Sequence, residues 1–179
     1  MKDYILFIPP IEVSEIRSRL WNSKQAKIYF DWFVSVKDDR VEYLLTVLDE
    51  TLTSDAEADL DRISKKVTNL LFKPPFSEDQ ENELIITNKG LAMVADLSLL
   101  ISKLIIQRQP EVTWKIVKRY KNDIAYNLPA MFGFPIIEHV ELIGPAIVNA
   151  KAILTGEKSS AIWLEMYKYA INLLNGIYP

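Results

Sequence analysis

Apolar residues recur at helical spacing over most of this chain. Val13, Ile16 and Leu20 begin one face, and Ala26, Tyr29, Phe30 and Phe33 renew it after the polar Asn22-Ser23-Lys24. Residues 28–36 also alternate as Ile28, Phe30, Trp32, Val34 and Val36, so a strand stands beside the favoured helix. Asp39 and Glu42 have capping-box spacing and predict a helix start, followed by a stripe of Val41, Leu44, Leu45, Leu48 and Leu52. Ser54 is placed to cap a second stripe of Ala56, Leu60, Ile63, Val67, Leu70 and Leu71, which Pro74-Pro75 ends.

The segment from Leu91 to Ile106 differs in kind, because its apolar residues cover the whole circumference of a helix. Such a helix belongs inside a protein, and the others are expected to pack around it. Thr87 or Asn88 can cap it. Strand signals are short: residues 4–8 before Pro9-Pro10 read as a strand or extended arm, and Val112 to Lys118 has strand composition. Ile124 to Phe134 can return antiparallel, interrupted at Pro129, with Asn122-Asp123 as turn residues. Two strands are marginal, so helices or the N-terminal segment as a third strand must support them. Residues 77–83 are the most polar stretch and predict an exposed loop. Residues 138–155 and 159–175 predict two helices parted at Gly156, with Pro145 placed to kink the first. The fold class expected is α+β: a mainly helical single domain over 1–179 with a central apolar helix and a small antiparallel β-hairpin.

Composition narrows the chemistry more than it names it. With 49% hydrophobic and 25% charged residues the 179-residue chain has a globular profile. It has no cysteine, which excludes disulfides and thiolate catalysis. A net charge of −3 argues against a surface built throughout for phosphate backbones. The run from Tyr4 to Ile8 is too short for a signal-peptide core, and Leu91 to Ile106 falls below the roughly 18 residues of a membrane span. A cytoplasmic protein with no membrane partner is expected.

Several constellations carry candidate chemistry. Asp55, Glu57, Asp59 and Asp61 imitate the start of a calcium-binding loop, but Leu60 stands where glycine is needed and Lys66 where the closing glutamate should be. A solvated, acid-rich helix start is the expected reading. His139, the one histidine, lies between Glu138 and Glu141 and reads as part of a helix's first turn, since no partner set for a metal or triad accompanies it. Asp96 falls in the most apolar helix and must have a partner or face a cavity; Lys103 is on the same side but too far along for a direct pair. Lys115, Lys118, Arg119 and Lys121 interleave with Trp114, Tyr120 and Tyr126, as single-stranded nucleic acid would require, though strand alternation divides them between two faces. Lysines on a hairpin edge also block sheet-to-sheet association. Trp21, Trp32, Trp163 and Tyr167 sit beside charged residues and could anchor a protein interface. No glycine-rich phosphate loop is present, and no cofactor, metal or catalytic residue is expected.

Two stretches resemble a group of uncharacterised bacterial proteins: Ala26-Lys27-Ile28-Tyr29-Phe30-Asp31-Trp32-Phe33 followed by Arg40-Val41-Glu42-Tyr43-Leu44-Leu45, and Trp114 followed by Asn127-Leu128-Pro129-Ala130-Met131-Phe132-Gly133-Phe134. The resemblance implies a bacterial, cytosolic α+β protein and transfers no functional residue. The function expected is non-enzymatic action through a protein partner or self-association, by analogy with immunity-type proteins that occlude a toxin. A weak nucleic-acid binder using residues 114–126 is the alternative, and an enzyme or ligand binder with a pocket near Asp96 is third.

Overall fold

The computed structural model describes residues 4–81 and 83–178. After an extended arm, α1 (Ile11–Ser14) and a 3-10 turn (Ser18–Leu20) lead into α2 (Ser23–Leu48), then α3 (Ala56–Leu71), β1 (Ser77–Gln80), β2 (Glu83–Ile86) and α4 (Asn88–Arg108). The second half adds β3 (Thr113–Ile116), β4 (Pro129–Phe132), β5 (His139–Val140), α5 (Ile143–Leu154) and α6 (Ala161–Leu174). The class is α+β and mainly helical, with two small antiparallel sheets.

Helix α4 is the central rod. Met93, Val94, Leu97, Leu100, Ile101 and Ile105 have no exposed surface, and α2, α3, α5 and α6 all pack against it. It is long and apolar enough to cross a membrane, yet 78% of its most apolar window is buried inside this protein. Its entry is fixed by Thr87, whose hydroxyl accepts from the Gly90 amide and donates to the Pro75 carbonyl. Gly90 is required there: a Cβ would lie 2.2 Å from the Phe76 carbonyl oxygen.

Helix α2 resolves residues 28–36 as helix and moves its start. The capping box is Asn22 with Gln25, whose side chains and backbone amides bond reciprocally at 3.0 Å. Asp39, expected to open a helix, lies in the middle of α2. A capping side chain needs free backbone amides, and those around Asp39 are inside a helix whose buried face runs on through Phe33, Arg40, Val41, Leu44 and Leu48. One turn onward the cap of α3 is Asp55 rather than Ser54, accepting from the Ala58 amide at 3.0 Å.

Within residues 77–83, expected as a loop, residues 77–80 instead form β1, which pairs with β2 from Ser77 opposite Ile86 to Gln80 opposite Glu83. The polar composition misleads because only Ser77 of β1 is buried; the other side chains face water. The larger sheet has the order β3-β4-β5. Its third strand is His139–Val140, paired with Phe132 and Met131, and not the N-terminal segment. Pro129 opens β4 opposite Ile116 rather than interrupting it, a position that asks no ladder donor of proline. His139 is therefore a strand residue and not part of a helix's first turn. Pro145 occupies the first turn of α5, where its missing amide leaves no hydrogen bond unmade, so no kink follows.

Candidate functional site

The arm of residues 4–10 forms no strand, but it is clamped. Tyr4 is buried and donates its hydroxyl to Asp96 Oδ2 at 2.6 Å, joining the arm to α4. Arg40 of α2 reaches the same carboxylate with two donors, Nε to Oδ1 at 2.7 Å and Nη2 to Oδ2, and Nη2 also donates to the Ile5 carbonyl at 2.9 Å. The Ile5 amide in turn donates to the Tyr43 hydroxyl at 3.1 Å. Three rings surround the guanidinium, those of Tyr4, Phe7 and Tyr43, with centroids 5.4 to 5.8 Å away. Asp96 thus finds Arg40, 56 residues distant in the chain, and not Lys103.

Asp96 has no exposed surface, and burial pushes its carboxyl up to about 6 against the opposing pull of the Arg40 and Tyr4 donors. The same burial, with Asp96 alongside, pushes the Tyr4 hydroxyl far above its ordinary range. Three donors meet this carboxylate, two at Oδ2 and one at Oδ1. The triad joins the arm to α2 and α4.

The clasp presents the arm's other side chains outward. Phe7 packs edge-to-face on Trp32 at 4.8 Å, and Trp32 leans on Tyr29 at 5.3 Å, so Trp32 is a half-buried support beneath the arm. Next to it lies a cleft of about 360 Å³ whose lining includes Leu6, Ile8, Tyr29, Leu91, Ile143 and Ile147. Glu141 stands at the start of α5, where it accepts from the Ile143 and Gly144 amides; burial nevertheless pushes its carboxyl up. Burial and Glu141 together push the Tyr29 hydroxyl up to about 12.

The basic and aromatic stretch is divided by the fold. Trp114 turns toward α2 and packs edge-to-face on Phe33 at 4.8 Å, while Lys115 lies over the Phe132 ring at 5.8 Å. Lys118, Arg119, Tyr120 and Lys121 remain exposed in the β3–β4 loop. Lys118 donates to Asn127 Oδ1 at 3.1 Å, and desolvation lowers its ammonium. Asp123 in that loop faces His139 Nε2 at 3.3 Å, and His139 Nδ1 is buried without a hydrogen-bond partner.

Other expected anchors are interior. Trp163 and Tyr167 are buried in the main core and Trp21 in a smaller one with Val13 and Ala26. The acid-rich start of α3 is only partly solvated, because Asp59 is fully buried. It accepts from the Thr53 amide at 2.6 Å and from Arg62 Nη2 at 2.9 Å, closing the α2–α3 connection. Among the described residues no cluster of histidine and acidic side chains could hold a metal ion. Arg40 and Asn127 are the residues that sequence reasoning missed. Arg40 did leave a signal, a cation on the stripe that runs from Phe33 to Leu44. Comparison of the chain with protein-family models, with curated proteins and with solved structures gives no match.

Proposed function

We propose that this chain is a non-enzymatic, cytosolic protein of bacterial origin that works by binding another protein through its clamped N-terminal segment. One observation carries the reading: Ile8 and Ile11 are 68% and 73% exposed just beyond Tyr4 and Ile5, which the Arg40–Asp96 pair anchors. Residues 4–11 contain no charged side chain. Charge-poor, preorganised apolar surface is what the core of a protein interface requires, because ordering costs are already met in the free protein. The adjoining cleft extends the surface inward and gives an incoming side chain a place to sit. Occlusion of a partner, as immunity-type proteins achieve, needs such a surface and no reacting group.

The test places a photo-crosslinking amino acid at position 8 or 11 in the native host. The expected result is one discrete adduct. The protein identified in it should then bind purified native chain at 1:1, with affinity lowered at least about 30-fold by Ile8→Asp/Ile11→Asp, since a central apolar anchor is worth ~2 kcal/mol or more. An adduct of twice the chain's own mass, or an identified protein that binds native and variant equally, overturns the reading.

A further inference from the structure

We infer that the end of the molecule where the β3–β4 loop meets the 3-10 turn is a peripheral docking surface for an anionic phospholipid bilayer. This goes beyond the protein-binding reading and does not depend on it. It also departs from the expectation of no membrane partner, which rested on the lack of a spanning segment and does not bear on surface attachment.

The two chain segments are far apart in sequence and are stapled by one side chain. Asn127, buried and with φ +68°, donates to the Ser18 and Trp21 carbonyls at 2.9 and 3.0 Å and accepts from Lys118. Residues 16–21 and 117–124 so joined contain five of the chain's 21 cations and one of its 24 acids. That local excess stands against a net −3 for the whole. The cations are Arg17, Arg19, Lys118, Arg119 and Lys121, all exposed. The acid, Asp123, is turned inward to His139 and the Ala125 amide. Nearby, Glu138 approaches Arg119 at 4.0 Å, and Glu12 and Glu15 precede the turn.

Among the cations stand three apolar tips: Leu20 at 75% exposure, Tyr120 at 63% and Ile124 at 78%. Tyr120 has φ +59°, a conformation that bulky residues rarely adopt, and carries Arg119 over its ring at 5.0 Å. Protein interface cores are depleted in lysine, so tips interleaved with Lys118 and Lys121 do not suit one. Nucleic acid would need several free aromatic faces, and Trp114 is occupied by Phe33. A bilayer surface accepts both kinds of group at once: aliphatic and tyrosine tips enter the headgroup boundary while lysine and arginine meet lipid phosphates.

The experiment sediments the full chain with vesicles of 3:1 phosphatidylcholine and phosphatidylglycerol, beside pure phosphatidylcholine vesicles and a 20-mer of deoxythymidine. Binding is expected to anionic vesicles only, weakening at least about tenfold between 50 and 300 mM salt as screening shortens the reach of the charges. Lys118→Glu/Arg119→Glu/Lys121→Glu should abolish it and Leu20→Ser/Ile124→Ser should reduce it about tenfold, as apolar burial is lost; thermal unfolding confirms that both variants fold. Because the chain has no cysteine, Ile124→Cys carrying an environment-sensitive fluorophore reports insertion as a blue shift. Ile8→Asp/Ile11→Asp should bind vesicles like the native chain, which separates this proposal from the protein-binding one. No anionic-vesicle binding at 50 mM salt, undiminished binding by the charge-reversed variant, an unshifted fluorophore, or tighter binding of the oligonucleotide would each overturn it.

Discussion

Arg40→Met is the sharpest test of the clasp. The substitution removes both donors to Asp96 and the one to Ile5, leaving Tyr4 as the carboxylate's remaining side-chain donor at a site without solvent exposure. Breaking one side of a buried ion pair leaves an uncompensated charge and costs about 3–5 kcal/mol, out of a total stability of roughly 5–15. For a chain of this size each kcal/mol is about 2–4 °C in Tm, so the expected fall is roughly 6–20 °C. The deficit should deepen as pH rises, because without the guanidinium Asp96 escapes the cost only by staying protonated. Guanidinium unfolding followed by far-ultraviolet circular dichroism, at pH 5 and pH 7, measures both effects.

The reasoning makes a second demand. If the damage comes from an orphaned charge and not from lost packing, removing all the polar ends together should restore much of it. Tyr4→Phe/Arg40→Met/Asp96→Leu replaces the network with apolar groups, an exchange that is often neutral or favourable. A loss below about 1 kcal/mol for Arg40→Met at pH 7, or a triple variant less stable than the single, would refute the account.

Native Asp96 should titrate near 6 by carbon NMR, since its carboxyl is pushed up to about 6; a midpoint at or below 4 contradicts its burial. Because that folded value lies above the unfolded one of ~3.9, its contribution is fullest below about pH 4 and is lost as pH rises to about 6, a change of about 3 kcal/mol absent from Asp96→Asn. Asp59→Ala should cost about 1–3 kcal/mol in urea unfolding by stranding the Thr53 amide, while Arg62 keeps Glu50 and the Thr51 carbonyl. Asp61→Ala, half exposed and paired with the exposed Lys65, should change stability by no more than about 0.5 kcal/mol. Gly90→Ala should destabilise by about 2 kcal/mol or more despite alanine's helix preference, because Phe76 backbone and Ile86 would have to move.

The apolar rod was legible because periodicity reports burial directly: a helix with no polar face has nowhere to be but inside. Helix α3 was legible from its stripe, although its cap is Asp55 and not Ser54, and the entry to α4 was legible because stripe and cap agreed at Thr87. Capping signals misled at Asp39 because the motif is local, whereas continuation of α2 is decided by packing of Phe33, Val41 and Leu44 against other elements. The β1–β2 hairpin escaped notice because its polar strand draws stability from partner backbone and from one buried position, which composition does not register. Asp96 advertised itself by its surroundings, but its partner could not be found along the chain. Arg40 is 56 residues away, and only the crossing of α2 over α4 brings the two together.

That crossing also explains why the molecule can hold an uncharged segment against its surface without folding it into a sheet. An arm with two consecutive prolines offers few backbone donors to a strand, so its order must come from side chains. Tyr4 supplies an anchor that is both ring and donor, and Arg40 serves the carboxylate, the Ile5 carbonyl and three aromatic faces simultaneously. The buried polar network therefore does work that an apolar plug would not: it sets the register of the arm as well as its attachment, because a one-residue slip would leave the guanidinium without its carbonyl. Register decides which side chains point out. The surface that Ile8 and Ile11 present follows from an ion pair that grips Ile5, three and six residues upstream of them, and amide exchange along residues 5–8 in Arg40→Met should rise together with the loss of that surface.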